Sequence, residues 1–265
     1  MVAWGLMNGC SRYIRGIARE TTPTGDIPTS MTDPLDRADT LSQGETIQDV
    51  SVGYIPPPDP RRVLSEAYDM VIRDELIPAG SSTACVMNLC CRTGNLSAAV
   101  LGDSVFCIIR DGRIQFRQTA LQHYFNCPKQ LTVLPGMRKM SREEGMDVPE
   151  DAESVEVQVY DGDLVLVGTD GLWDNMHDGE IEQHCEELTM RMLKSGGKDE
   201  VSERGLMKAF VENMVQQASV YGMDPKRQSP WAKEARLQGY GNVIGGKMDD
   251  VTLVAAWVHH RHAAR

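Results

Sequence analysis

Residues 161–176 read DGDLVLVGTDGLWDNM, and the run Leu164–Val167 inside them is apolar throughout. A short apolar run bounded by turn residues is typical of a buried strand. The run ends at Thr169-Asp170-Gly171, so the strand would carry the Asp170 carboxylate at its tip. Glycine tolerates conformations that other residues avoid, so Gly171 would let the backbone turn sharply there. The stretch predicts a core strand that ends in a carboxylate.

Two further aspartates stand at the ends of apolar runs. Asp103 lies in Leu101-Gly102-Asp103-Ser104, and Asp249 directly precedes the last apolar run, Val251–Val258. Carboxylates at the rim of a core need partners, because desolvating an unpaired charge is costly. With no adjacent base, oxygen ligands of this kind favour a hard divalent cation such as Mg²⁺ or Mn²⁺. Such ions also activate water as a nucleophile toward phosphorus.

Composition excludes several classes of function. The 265 residues are 41% hydrophobic and 25% charged, which is ordinary for a globular protein. The net charge is −11 and no basic stripe occurs, which argues against a nucleic-acid partner. The seven cysteines form no CxxC pair, so a zinc cluster is not expected. No apolar run of about 18 residues occurs, so no transmembrane helix is expected.

Hydrophobic spacing divides the chain into elements. Residues 20–60 are rich in Thr, Pro, Asp and Gly and predict a polar low-complexity insertion or loop, and residues 119–150 are expected to be irregular. Helical spacing covers five segments: 1–19, Arg61–Leu76, Asp178–Lys194, Val201–Tyr221 and Pro230–Leu237. Strand patterns cover Ser82–Cys91, Leu96–Leu101, Val105–Arg110, Arg113–Gln118, Val155–Tyr160, Leu164–Gly168 and Val251–Val258.

Turn residues indicate how the strands connect. Asp111-Gly112 predicts one hairpin, and Asp161-Gly162-Asp163 predicts another between Val155–Tyr160 and Leu164–Gly168. Consecutive antiparallel strands followed by segregated helices favour an α+β sandwich over a doubly wound parallel sheet.

Six segments together resemble the metal-dependent protein phosphatases of the protein phosphatase 2C family. Four carry the family's successive motifs, and two narrow the resemblance to the small branch that includes mitochondrial phosphatase homologues. They are Gly80-Ser81-Ser82-Thr83-Ala84, Leu101-Gly102-Asp103-Ser104, Thr169-Asp170-Gly171-Leu172-Trp173-Asp174-Asn175, Asp249-Asp250-Val251-Thr252, Gln122-His123-Tyr124-Phe125-Asn126 and Ser229-Pro230-Trp231-Ala232.

The resemblance implies a fold and an activity. It implies a four-layer α-β-β-α sandwich of two antiparallel sheets flanked by helices, with two core Mg²⁺ or Mn²⁺ ions and room for a third. A metal-bound water would hydrolyse phosphoserine or phosphothreonine. Asp170 and Asp249 match ligands of the first core metal and are the expected catalytic residues, while Asp103 matches a ligand of the third. His123 lies in a family motif and would line the substrate groove, or else serve as a hydrogen-bonded structural histidine.

The resemblance also has a gap at its beginning. The family carries upstream an acidic pair on its first strands and an Asp-Gly-x-Gly-Gly stretch whose aspartate bridges both metals, and nothing in residues 1–60 replaces them. We therefore expect residues 1–265 to be a single phosphatase-like domain, truncated at the N-terminus and lacking its first strands. Residues 259–265, HHRHAAR, are expected to be a solvated tail.

Two functional hypotheses remain open. The chain is either a fragment of an active phosphatase or a catalytically dead phosphatase-like binding module without the bridging aspartate. A serine hydrolase, suggested by Gly102-Asp103-Ser104, is disfavoured because Val105 stands where trypsin-like enzymes carry glycine. The expected partner is a phosphoprotein substrate, the expected state a monomer, and the expected location intracellular. Mitochondrial residence is suggested by the branch resemblance alone.

Overall fold

The computed structural model describes residue 7 and residues 56–74, 77–136, 145–195 and 200–259. The predicted helix over 1–19 lies outside these residues except for Met7, and most of the 20–60 insertion lies outside them too. Within the described residues, no helix is both long and apolar enough to span a bilayer.

The described residues form helices and antiparallel strands. The helices are α1 (Pro60–Asp74), α2 (Asp170–Trp173), α3 (Asp178–Ser195), α4 (Glu200–Met223) and α5 (Pro230–Leu237). The strands are β1 (Gly80–Ser82), β2 (Ala84–Leu89), β3 (Asn95–Leu101), β4 (Val105–Arg110), β5 (Arg113–Arg117), β6 (Gln122–Tyr124), β7 (Cys127–Pro128), β8 (Leu131–Val133), β9 (Glu153–Gln158), β10 (Leu164–Gly168) and β11 (Leu253–Trp257).

Two antiparallel sheets make up the centre of the fold. One has the order β11-β10-β4-β5 and the other the order β2-β3-β9, and two short pairs, β1-β8 and β6-β7, lie beside them. Strand β3 shows how the layers stack, because its side chains alternate between faces. Leu96, Ala98 and Val100 join the core shared with β4, β10, α3 and α4. Ala99 and Leu101 face the opposite way, into the core beneath α1. The predicted α+β fold, with helices outside two antiparallel sheets, is confirmed.

One predicted hairpin is wrong. Strands β9 and β10 belong to different sheets, since β9 pairs with β3 while β10 pairs with β4 and β11. The turn between them is held by Asp163, whose buried carboxylate accepts hydrogen bonds from the Tyr160 N–H at 2.8 Å and from Arg110 at 2.8 and 2.9 Å. These contacts tie the turn to β4, so the chain crosses between sheets there.

Two other predictions need correction. The predicted strand Ser82–Cys91 is interrupted at Thr83, which separates β1 from β2. The segment 119–150, expected to be irregular, contains β6, β7, β8 and a 3₁₀ turn at Pro149–Asp151. These strands are two or three residues long, too short for a periodic pattern, and β8 is specified by its pairing with β1.

Turn and cap residues in the sequence correctly predicted the β4–β5 hairpin and the helix α5. Asp111 and Gly112 have φ values of 50° and 77° between β4 and β5, as a type I′ hairpin turn requires. Helix α5 has the predicted bounds: Pro230 occupies its first turn, and the Ser229 hydroxyl accepts the Ala232 N–H at 3.1 Å.

Candidate active site

Three strand ends meet at one edge of the four-stranded sheet. Gly168, the last residue of β10, lies opposite Val105 at the start of β4 and opposite Leu253 at the start of β11. Asp103 and Asp249 therefore precede the two strands that flank β10, at the same edge where Asp170 follows β10. The antiparallel order of β4, β10 and β11 brings together three acids that are far apart in sequence.

The ends of β10 and β11 are tied together through Thr169. Its backbone N–H donates to the Thr252 carbonyl at 3.1 Å, and its hydroxyl accepts the Thr252 N–H at 3.0 Å. The same hydroxyl lies 3.3 Å from the Asp250 carbonyl oxygen. These contacts fix the entry to α2, which begins at Asp170.

Gly171 is required for a reason other than the expected one. It lies inside α2 and has no positive φ, so it does not provide a sharp left-handed turn. Instead, a Cβ atom at this position would collide with the Asp250 carbonyl oxygen and lie 3.2 Å from Cγ2 of Val251. The glycine allows the two chain segments that carry Asp170 and Asp249 to approach closely.

A cavity of about 410 Å³ opens at this edge. Acidic, aromatic and amide side chains line it together with one arginine. Its polar and aromatic lining residues are Asp103, Arg117, Gln118, Thr119, Gln122, Phe125, Asn126, Asp170, Trp173, Asp174, Trp231 and Glu234. Asp103 and Asp170 thus face one cavity, whereas Asp249 is not among its lining residues.

Asp174 is a site residue that the sequence analysis missed. It follows Asp170 by four residues and shares its helix face, as i and i+4 positions do. Its carboxylate lines the same cavity as those of Asp103 and Asp170. The signal was present in the quoted motif Thr169–Asn175, in which Asp174 was given no role.

The acids of the cavity repel one another. Burial, followed by the negative charge of Asp170, raises the pKa of Asp103 to about 6. Burial also raises the pKa of Asp174, although a hydrogen bond from Lys247 acts in the opposite direction. A cation between these carboxylates would relieve the repulsion.

Lys247, which the sequence analysis also did not identify, places one positive charge beside these acids. Its Nζ atom donates to Oδ2 of Asp170 at 2.6 Å and to Oδ2 of Asp174 at 2.7 Å. It also lies 3.6 Å from Oδ2 of Asp249. The only sequence signal was a basic residue two positions before Asp249.

The donor set was tested against the divalent cation that the resemblance implies. Four carboxylates surround one sheet edge, and carboxylate oxygens are the donors that Mg²⁺ and Mn²⁺ prefer. Within the part of the chain that the structure describes, however, no three metal-binding side chains converge on one point. The carboxylates of Asp103, Asp170 and Asp174 have the donor chemistry that a divalent cation prefers, but they do not converge on one point, and Lys247 engages two of them.

Arg117 is the cationic residue in the lining of the cavity. It ends β5, its guanidinium carbon lies 4.7 Å from the centre of the Trp173 ring, and Nη1 forms an ion pair with Asp178. The contacts with Trp173 and Asp178 hold the guanidinium at the cavity wall, and Nη1 is engaged by Asp178. A planar guanidinium suits the oxygens of a phosphate group. The sequence analysis gave Arg117 no role.

His123 and His259 both contact acids outside the cavity lining. Nε2 of His123 lies 2.9 Å from Oδ2 of Asp147, an oxygen that also accepts the Gln130 N–H at 2.8 Å. His123 is absent from the cavity lining, although its neighbour Gln122 is part of it. Its substrate-binding role stays a prediction. His259, expected in a solvated tail, lies 3.3 Å from Glu203, and the rest of that tail is outside the described residues.

The curated relatives of the chain share one name. The chain is similar to proteins named protein phosphatase PTC7 homolog from Danio rerio, 34% identical over 209 residues (79% of this chain, 66% of the relative), and Homo sapiens, 34% identical over 212 residues (79% and 64%). The PTC7 homolog fig of Drosophila melanogaster is 37% identical over 199 residues (75% and 59%). The chain thus spans less than two thirds of the length of these relatives.

A solved structure is also similar. The X-ray structure of the photosystem II phosphatase PBCP superposes with a TM-score of 0.56 at 26% identity, covering 76% of this chain and 71% of that one. No protein-family model matches the chain.

Proposed function

Because the chain belongs to the protein phosphatase 2C family, we propose that it is a metal-dependent protein phosphatase that hydrolyses phosphoserine and phosphothreonine. One observation carries this proposal. Asp103, Asp170 and Asp174 line a single cavity together with Arg117, so oxygen ligands for a divalent cation and a donor for phosphate face the same space.

The acids of the cavity would hold the cation. Asp103, Asp170 and Asp174 would bind Mg²⁺ or Mn²⁺ at their cavity face. The chemistry supplied by such an ion when bound is neutralisation of phosphate charge and activation of water. The rigid turn at Thr169 and the close approach at Gly171 keep Asp170 in place, which limits the reorganisation needed during the reaction.

The remaining lining residues would bind the substrate. The Arg117 guanidinium, which stacks on the Trp173 ring, would donate to phosphate oxygens. The Phe125 ring lies 6.3 Å from Trp231 and 5.2 Å from Tyr240, centre to centre, and forms an aromatic wall. Such a wall suits the side chains that flank a phosphorylated residue. Glu234 beside it would favour a basic flanking residue.

Phosphate release from one peptide made in phosphoserine, phosphothreonine and phosphotyrosine forms tests the proposal. We expect Mn²⁺-dependent release from the first two, abolished by EDTA, and little from the third. Arg117→Met should raise KM for the phosphopeptide, whereas Arg113→Met, on the same strand but outside the cavity lining, should not. Equal rates on phosphotyrosine, or rates insensitive to EDTA, would contradict the proposal.

A second candidate is a phosphatase-like binding module without catalysis. The observation that favours it is the engagement of Asp170 and Asp174 by Lys247. Fluorescence anisotropy of a labelled phosphopeptide distinguishes the two functions. Saturable binding without any phosphate release would favour the module, and turnover that depends on Asp170 would exclude it.

The partner, state and location follow from the same proposal. The substrate would be a phosphoprotein, the chain would be monomeric, and the branch resemblance would place it inside cells, in mitochondria or another organelle. Light scattering coupled to gel filtration tests the expected monomeric state, and a dimeric mass would contradict it. Fluorescence microscopy of the tagged full-length protein tests the location, and exclusion from mitochondria and other organelles would contradict it.

A further inference from the structure

The Lys247 ammonium lies among three carboxylates. Its Nζ atom is 2.6 Å from Asp170, 2.7 Å from Asp174 and 3.6 Å from Asp249. The ammonium donates hydrogen bonds to Asp170 and Asp174, whereas Asp249 lies at ion-pair distance. The side chain is only 18% exposed, which sets the group apart from an ordinary surface lysine.

The backbone of Lys247 is fixed as firmly as its side chain. The buried Asn175 amide accepts the Lys247 N–H at 2.9 Å and donates to the Lys247 carbonyl at 2.8 Å. The same amide donates to the Gly171 carbonyl at 2.9 Å, inside the helix that begins at Asp170. The preceding Gly246 packs against Tyr221 and Gly222 so tightly that a Cβ atom there would collide with both. The Asn175 amide thus fixes the position of Lys247 relative to the start of α2.

The charges agree with this arrangement. The Nζ atom lies within hydrogen-bond distance of Oδ2 of both Asp170 and Asp174. Two carboxylates that would otherwise repel each other share it.

An ammonium and a divalent ion exclude each other at this position. A carboxylate oxygen lies about 2.0–2.1 Å from Mg²⁺ when it binds the ion. A second cation placed between Asp170 and Asp249 would therefore overlap Nζ or face its charge at very short range. The resemblance assigned this position to the first core metal, with Asp170 and Asp249 as ligands.

We infer that Lys247 is a built-in cation that replaces a divalent ion between Asp170 and Asp249. A divalent ion then depends on the cavity-facing acids alone, and Asp249 contributes nothing to its binding while Lys247 is present. This inference deepens the proposed function and rests on it for the assignment of the site as a phosphatase centre. Cation binding itself can be measured without any substrate.

A Mn²⁺ titration of the metal-free chain, followed by calorimetry, tests the inference in a two-by-two set of variants. Asp249→Asn alone should leave the Mn²⁺ affinity within about twofold, and Lys247→Met should raise it by about tenfold or add a second bound ion. In the Lys247→Met background, Asp249→Asn should remove that gain. Lys233→Met, which changes an exposed lysine on α5, is the matched control and should have no effect.

Two results would overturn the inference. One is a tenfold or greater loss of Mn²⁺ affinity in Asp249→Asn with Lys247 intact, and the other is unchanged binding in a folded Lys247→Met variant. If Lys247→Met fails to fold, the Asp249→Asn variant alone decides between the outcomes. Failure of the proposed function would instead show as normal Mn²⁺ binding without phosphate release, so the two failures are distinguishable.

Discussion

A Cβ atom on Gly171 would collide with the carbonyl oxygen of Asp250. This relationship joins the first turn of α2 to the chain that enters β11. It allows the chain segments that carry Asp170 and Asp249 to lie close together. The glycine is therefore part of the site although it has no side chain.

Gly171→Ala should destabilise the fold by about 1–3 kcal/mol, because the backbone must shift to admit the methyl group. Urea denaturation followed by circular dichroism measures the effect. Gly205→Ala, in the open interior of α4 with nothing within 4 Å of the new Cβ, should instead stabilise by up to about 1 kcal/mol. Equal midpoints for both variants would contradict the steric account.

Asp163→Asn tests the turn that carries the chain between sheets. The Asp163 side chain has 0% exposure and accepts a bidentate pair from Arg110. Removing its charge should cost about 3 kcal/mol, because the guanidinium then lacks its partner and a buried network is broken. Chemical denaturation measures the loss. Glu156→Gln, at an exposed position of β9, is the control, and a loss no greater than in that control would show that the pair does not hold the turn.

Glu182 gives a pH-dependent contribution to stability. The hydrogen bond from the Ile114 N–H, assisted by Arg113, lowers the pKa of Glu182 below its ordinary value. A carboxyl group whose folded pKa is depressed stabilises the fold above its unfolded pKa of about 4.3. That contribution disappears as pH falls through the folded pKa. The stabilisation is small because the partner Arg113 is exposed and solvent screens the pairing.

Thermal melts of Glu182→Gln from about pH 7 down to about pH 3 measure this contribution. The wild type should melt above the variant at neutral pH, and the difference should vanish in acid. Glu187→Gln, an exposed neighbour on α3, should show no such trend. A difference that grows as the pH falls would mean that the pairing with Ile114 does not act through the ionised carboxylate.

The parts of the fold that sequence predicted are those with local causes. Val105–Arg110 and Pro230–Leu237 have the predicted bounds, because an apolar run, a type I′ turn and a serine cap specify them from within. The sheet membership of β9 and β10 was mispredicted, because a short polar turn looks the same whether its strands pair or cross. The Arg110–Asp163 contact that decides between these outcomes joins residues 53 positions apart.

The same distinction applies to the site. Asp103 and Asp170 were predicted from strand-end position, and the structure places both at one cavity. Asp249 was predicted as an equal partner, but the cavity lining does not include it and Lys247 lies between it and Asp170. No periodicity reports the direction of a lysine side chain. Its contact with Asp170 arises from a separation of 77 residues.

The initial rate of phosphate release from a phosphothreonine peptide, at saturating Mn²⁺, tests the central claim that Asp170 anchors a phosphatase site. Wild-type chain should turn over the peptide, and Asp170→Asn should lower the rate by about 100-fold or more. Asp111→Asn, a matched change at the β4–β5 turn where asparagine tolerates the positive φ, should leave the rate unchanged. An Asp170→Asn variant as active as the wild type, or a wild-type chain that releases no phosphate, would contradict the claim.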